Sequence, residues 1–172
     1  MYSKTNYPSP IGNLTLASDG VNLVGLWIEG QKYHGDAIFK DMVANNDLKI
    51  FDEAKKWLDR YFAGKNPIIS QLQIAPLGSE FRKNVWNILC EIPYGELTTY
   101  GAIAKKIAVD AGKAQMSARA VGGAVGHNPI SIIIPCHRVV GAKGNMTGYA
   151  AGTATKIKLL EMEKTGIGMM AN

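Results

Sequence analysis

The apolar positions at the start of the chain alternate with polar ones. Leu14 and Leu16 flank Thr15, and the stretch from Val21 to Ile28 repeats the pattern beyond Ser18-Asp19-Gly20. A period of two with an Asp-Gly step between the runs predicts a β-hairpin, and an earlier strand is expected at residues 2–7. The period then changes: Phe51, Ala54, Trp57, Leu58, Tyr61 and Phe62 recur at intervals of three and four until Gly64 and Pro67 interrupt them, which predicts a helix over residues 47–63. This half reads as a small scaffold unit with no evident chemistry.

Residues 65–78 hold two prolines and no helical period, so the boundary between two domains, 1–75 and 76–172, is placed there. Beyond it, Phe81, Val85, Trp86, Ile88, Leu89 and Ile92 mark a helix over residues 79–91. Thr98 or Thr99 can cap a further helix edged by Ile103 and Ile107. Residues 115–125 form a short helix rich in small side chains, and two such helices in succession suggest a helix-turn-helix. Arg119 is the single long side chain on the second helix. The apolar run from Ile130 to Val140 reads as a buried strand or extended segment that reaches Pro135 and then Cys136-His137-Arg138. The fold class is α/β (α+β), with an N-terminal hairpin or sheet plus helix followed by a mostly helical C-terminal domain.

Composition narrows the functional classes. With 172 residues, 47% of them hydrophobic and 19% charged, the chain suits an ordinary globular core. Its longest apolar run, residues 130–134, is far short of the ~18 residues a membrane span requires. The N-terminus lacks the apolar stretch of a signal peptide, so a cytoplasmic location with free thiols at Cys90 and Cys136 is expected. Residues 1–75 carry eight basic and eight acidic side chains. Residues 76–172 carry eleven basic against six acidic ones, so the whole net charge of +5 lies in that half. A basic half suits a polyanionic partner, because neutralising phosphates releases condensed counterions.

The chemistry concentrates at Cys136. A thiol beside an imidazole and a guanidinium sits where positive charge and a general base favour the thiolate, whereas Cys90 lies on the apolar face of a helix and reads as a small core residue. If residues 136 and 137 are extended, their side chains point to opposite faces, and coupling them requires a turn or a bridging water. His34, His127 and His137 show no metal-ligand spacing, so no metal is expected.

The segment Pro135-Cys136-His137-Arg138-Val139, preceded by Arg119-Ala120-Val121-Gly122-Gly123-Ala124 and Asn128-Pro129, resembles the O6-alkylguanine-DNA alkyltransferase family. The likeness runs from about residue 79 to 163 and includes Ile92-Pro93-Tyr94-Gly95, Thr99-Tyr100-Gly101 and Thr147-Gly148-Tyr149-Ala150. The resemblance implies that Cys136 accepts the alkyl group of O6-alkylguanine in a single irreversible turnover, without cofactor. It implies that His137 reaches the thiol through a water and is oriented by Glu163, on a helix opened by Thr153. It further implies that Tyr100 donates a proton at guanine N3 and that Asn128 braces the turn before the cysteine. The backbones of Cys136 and Val139 would accept from the guanine amino group, while Tyr149 and the Ala150 amide would face O6. Double-stranded DNA is the implied partner of a monomer: the small residues Ser117 and Ala118 let the second helix approach the minor groove, and Arg119 fills the place of a flipped nucleotide.

Ser131 stands where many relatives have proline and Ala151 where many have glycine, both beside the implied pocket, and the connection over residues 108–116 is long. The main rival reading is a non-enzymatic lesion-binding protein of the alkyltransferase-like type, whose members lack the cysteine. A thiol hydrolase would require an oxyanion hole that nothing locates, and a helix-turn-helix transcription factor would require base-reading side chains where Gly and Ala dominate. The repair reading expects the sulfur close to anionic, at the floor of a cavity wide enough for an everted purine.

Overall fold

The computed structural model describes residues 1–35, 39–146 and 148–169; Thr147 of the Thr-Gly-Tyr-Ala segment and the last three residues lie outside these. Strands β1 (Tyr2–Ser9), β2 (Gly12–Ser18) and β3 (Leu23–Ile28) form an antiparallel meander in which Thr5 faces Leu16 and Leu16 faces Leu26. The turn between β2 and β3 is longer than the Asp-Gly step expected. The Asp19 carboxylate accepts hydrogen bonds from the amides of Val21 (2.9 Å) and Asn22 (2.7 Å), so Val21 is held out in solvent and the strand begins at Leu23. A strand not anticipated, β4 (Met42–Ala44), pairs parallel with β1 and is too short to display a period.

Helix α1 (Lys49–Phe62) lays Phe51, Ala54, Leu58, Tyr61 and Phe62 against the core. It starts two residues later than the periodicity predicts, because Leu48 takes the extended conformation of a cap.

The outer edge of β3 is where the two halves of the chain meet. Leu23 N–H donates to Gln73 O (2.8 Å) and Ala75 N–H to Leu23 O (2.8 Å). Further along, Leu26 N–H donates to Pro129 O (2.9 Å) and Ser131 N–H to Leu26 O (2.9 Å). Every residue of β3 is buried, so this edge lies inside the molecule, where unpaired amides would be costly. One apolar cluster consequently runs from Leu14 and Phe51 through Trp86 and Ile133 to Leu159.

Helix α2 (Glu80–Cys90) lies within the 79–91 the sequence predicts and starts after Ser79, whose hydroxyl accepts from Arg82 N–H (3.3 Å). Strand β5 (Thr98–Thr99) leads into α3 (Tyr100–Asp110), with Thr99 capping Ala102 N–H at 3.0 Å. Residues 111–117 connect it to α4 (Ala118–Gly126). That helix begins three residues later than expected, since Ser117 is itself the cap, accepting from Ala120 N–H at 3.1 Å. The Trp86 indole N–H donates to Ala124 O (2.9 Å) and pins α4 onto α2.

The run from Ile130 to Val140 is not one continuous strand. Only Ile130 bridges β3; the chain then turns back, with Ile134 N–H donating to Ile130 O (3.1 Å) and Ile132 at a positive φ of 71°. A 3₁₀ turn over Cys136–Arg138 follows, and β6 (Val139–Val140) pairs parallel with β5. The apolar residues of this run are at most 1% exposed from Ile130 to Ile134. Their hydrophobicity reported burial, and a buried turn satisfies that as well as a strand does. Helix α5 (Thr153–Thr165) completes the chain, and no described helix is long and apolar enough to cross a membrane.

The Trp86–Ala124 bond carries a prediction. Trp86→Phe leaves a buried carbonyl without its donor and is expected to cost about 1–3 kcal/mol; urea denaturation followed by the fluorescence of Trp27 and Trp57 measures it.

Candidate active site

The 3₁₀ turn places Cys136 and His137 about 120° apart around its axis instead of on opposite faces, which is the turn that coupling them required. Cys136 retains 7% exposure and His137 none. The turn is held from below by Asn128. Its side-chain carbonyl accepts from Ile130 N–H (3.0 Å), and its amide donates to Ile134 O (2.8 Å) and Ile130 O (3.3 Å).

Glu163, on the buried face of α5, gathers the polar groups beneath the turn. Its Oε2 accepts from His137 Nε2 at 2.6 Å, from the Tyr61 hydroxyl at 2.6 Å and from Arg138 Nη2 at 3.2 Å; Oε1 accepts from Arg138 Nε at 2.7 Å. Arg138 also donates through Nη1 to Ile92 O (2.7 Å), so its guanidinium is committed to the carboxylate and to the end of α2. Burial raises the carboxyl pKa, but hydrogen bonds from His137 and Arg138 and the charge of Arg138 outweigh it and bring the group down to about 2. A carboxylate that stays charged cannot donate, so the proton shared with His137 sits on Nε2.

Burial pushes the His137 pKa below its usual value, against the pull of Glu163. The ring is therefore neutral at neutral pH. Nδ1 carries its lone pair, and it is buried with no partner among the described residues. A neutral imidazole with one nitrogen fixed and the other open is a general base.

The thiol departs from the expected state. Burial raises the Cys136 pKa; a hydrogen bond from Asn128 and the charge of Lys156 oppose this, and the net direction is upward. The sulfur rests as a thiol, and it needs a proton acceptor when it reacts. The cation near it is also a different one from that expected, because Arg138 faces Glu163 while Lys156, fully buried on α5, donates through Nζ to Val139 O at 2.5 Å.

Burial raises the phenol pKa values of Tyr100, at the start of α3, and of Tyr149, and electrostatic coupling to Cys136 acts on both in the same direction. Gly148 is at φ 86°, and a Cβ there would lie 3.0 Å from the Tyr100 hydroxyl, so a side chain at 148 would push Tyr100 aside. Ala150 O accepts from Lys32 N–H (3.1 Å). Carbonyls of Cys136 and Val139 each hold one intramolecular donor, Val139 N–H and Lys156 Nζ, and keep a second lone pair. Ser117, Ala118 and Arg119 stand apart from this cluster, exposed around the first turn of α4.

Two participants escaped sequence reasoning. Tyr61 belongs to the apolar stripe of α1, and nothing in that pattern separates a tyrosine that packs from one whose hydroxyl meets Glu163. It gives the N-terminal half, expected to be scaffold alone, a hand in the site. Lys156 did leave a signal: it falls three, six and seven residues before Leu159, Met162 and Glu163, on one helical face, where an unpaired lysine is out of place.

Residues 80–165 match the family described as 6-O-methylguanine DNA methyltransferase, DNA binding domain, and residues 2–76 match its ribonuclease-like domain. A methylated-DNA–protein-cysteine methyltransferase of Methanosarcina barkeri is 46% identical over 160 residues, covering 92% of this chain and 95% of its own. One from Haemophilus influenzae is 39% identical over 160 residues, covering 93% and 85%. Among solved structures, Mycobacterium tuberculosis OGT in complex with DNA superposes with a TM-score of 0.83 at 39% identity, covering 97% of this chain and 94% of that one.

Because the Glu163 carboxyl is held near 2 against an ordinary 4.5, the stabilisation it contributes is complete above pH 4.5 and is lost as pH falls toward 2. Glu163→Gln is expected to lose about 3–5 kcal/mol at pH 7, where it strands buried His137 and Arg138. Urea denaturation at a series of pH values checks this: the difference between the two proteins should shrink through that acid window.

Proposed function

The chain belongs to the 6-O-methylguanine DNA methyltransferase family, and from that premise we infer that it repairs O6-alkylguanine in double-stranded DNA by moving the alkyl group onto Cys136. The observation that carries this reading is a buried imidazole locked on Glu163 through Nε2, with Nδ1 without a partner among the described residues, adjacent in sequence to a thiol that is buried but for 7% of its surface.

His137 Nδ1 takes the thiol proton through an intervening water as the sulfur attacks the alkyl carbon. The sulfur–carbon bond forms while the bond from carbon to O6 breaks, and its electron pair stays with the guanine. Tyr100 donates a proton at guanine N3 to that developing negative charge. The neutral resting thiol suits this order of events, since a thiol buried in a low dielectric ionises only with a base in place. Second lone pairs on the Cys136 and Val139 carbonyls receive the guanine amino group, and Tyr149 with the Ala150 amide faces O6. The product thioether cannot return to the thiol, so each molecule acts once.

A base inside a duplex is out of reach of this sulfur, so the nucleotide must be everted. Exposed small residues Ser117 and Ala118 open α4 to close contact with the minor groove, and Arg119 on the same turn is long enough to occupy the gap in the stack. Basic residues beyond position 76 supply phosphate contacts. We place the working division of labour at the same point, with residues 1–75 supporting and residues 76–172 binding DNA and accepting the alkyl group. A reducing cytoplasm suits a protein that depends on a free thiol.

Mass spectrometry after incubation with an oligonucleotide carrying O6-methylguanine tests the reading. One methyl on the Cys136 peptide, saturating at about one equivalent, is expected, and Cys136→Ala should bind the DNA without transfer. Repeated turnover, or tight binding by the intact protein with no methyl gained, contradicts it. Arg119→Ala should slow repair of duplex DNA by about tenfold, since everting a base costs a few kcal/mol; an unchanged rate contradicts the role given to Arg119.

A further inference from the structure

Residues 30–35 leave β3 and cross to the helical half, touching it in three places. Gln31 is 7% exposed; its side-chain carbonyl accepts from Ile28 N–H (2.7 Å) and from the Ser131 hydroxyl (3.2 Å), and its amide donates to Lys32 O (3.3 Å). Lys32 N–H donates to Ala150 O at 3.1 Å. Tyr33 stacks on the ring of His127 with centroids 3.8 Å apart. His127 closes the C-terminal end of α4, its Nδ1 lying 2.8 Å from Gly123 O.

This short strap therefore joins the N-terminal half to three places beyond it: the end of α4, the turn four residues later that leads to Cys136, and the segment 148–152. That last segment packs Tyr149 and Ala151 against the core, and Lys156 N–H donates to Gly152 O at 3.2 Å. It is bracketed by Gly148 at φ 86° and Gly152 at φ 94°, and its internal bond is Gly152 N–H to Tyr149 O at 3.0 Å. Glycines at both ends give it two points about which it can swing. The Lys32 amide fixes the carbonyl at its middle. Lys32 is placed in turn by Gln31 on one side and Tyr33 on the other, and Tyr33 sits at φ 57°, a backbone conformation disfavoured for a side chain of its size and held here against the His127 ring.

We propose that Gln31, Lys32 and Tyr33 are positioning residues that set the breadth of the alkyl pocket, by holding Ala150 and Ser131 at its rim from the N-terminal half of the chain. The proposal rests on the reading that Ala150 faces O6. Ser131 has a hydroxyl for Gln31 to accept, so the strap and the pocket turn are tied by a side-chain bond that proline at 131 could not make. Releasing the strap lets the segment 148–152 swing outward, which makes room for a large O6 substituent and loosens the fit around a small one.

The test uses the full-length chain and two duplexes of one sequence, one carrying O6-methylguanine and the other O6-benzylguanine, so that DNA affinity cancels in the ratio of transfer rates. Tyr33→Ala and Gln31→Ala are each expected to raise the benzyl-to-methyl ratio about tenfold, the scale on which small displacements of a reacting pocket act. Tyr33→Phe, which keeps the stacked ring, should retain the wild-type ratio. Tyr33 is half exposed, so its variants keep the core intact, and the thermal midpoint of each variant is recorded beside the rates. An unchanged ratio in folded Tyr33→Ala and Gln31→Ala, or an equal fall in both rates, overturns the proposal. The wild-type control separates the two levels: methyl found on Cys136 with an unmoved ratio sinks the strap alone, whereas no methyl on Cys136 sinks the reading of the site beneath it.

Discussion

A negative charge is buried in the core of this molecule. The Glu163 carboxylate is taken out of water among apolar side chains, and burial alone would neutralise it. It stays charged because donors from two other elements converge on it, Tyr61 from α1 and His137 with Arg138 from the 3₁₀ turn, and Arg138 also reaches the carbonyl of Ile92 beyond α2. The same bonds that keep Glu163 ionised fix the His137 ring and its proton. Stability and chemistry thus share one set of contacts, and a change that weakens one weakens the other.

That convergence requires the two halves of the chain to be held in register, and β3 does this. Its outer edge pairs with residues 73–75 and 129–131, so the segment carrying Asn128 and the turn to Cys136 is laid directly on the N-terminal sheet. Tyr61 reaches Glu163 only because α1 packs on the other side of the same core. The N-terminal half is therefore a wall of the site as well as a support for it. The strap at residues 30–35 extends this arrangement to the pocket's outer side, where Ala150 and Ser131 are gripped by backbone and side-chain bonds from the same half.

Much of the fold was legible in the sequence because the relevant signals are local. Period-two alternation marked β2 and β3, the three-and-four spacing of Phe51 to Phe62 marked α1, and Thr99, one of two candidate caps, announced the helix it opens. The errors share a cause. The run of residues 130–134 is apolar because it is buried, and apolarity does not distinguish a strand from a compact turn stapled by Asn128. Cys136 beside His137 stood out from its own neighbours, whereas Asn128 and Glu163 were named through resemblance to a family, and the structure brings the four together. Spacing alone pairs no residue 137 with a residue 163. Tyr61 and Lys156 act through long-range contacts, and the thiol's resting state depends on the balance between burial and a lysine twenty residues away, a sum that no local pattern carries.

The central claim is that burial keeps His137 neutral while the Glu163 carboxylate fixes its proton on Nε2, which leaves the lone pair on Nδ1. Nitrogen-15 NMR of the histidine rings, with His137 assigned by its loss in His137→Gln, reads this directly. Above about pH 6.5 the account predicts two distinct ring nitrogens, Nε2 bearing hydrogen and Nδ1 bare. A ring protonated on both nitrogens at neutral pH, or one carrying its proton on Nδ1, would contradict it.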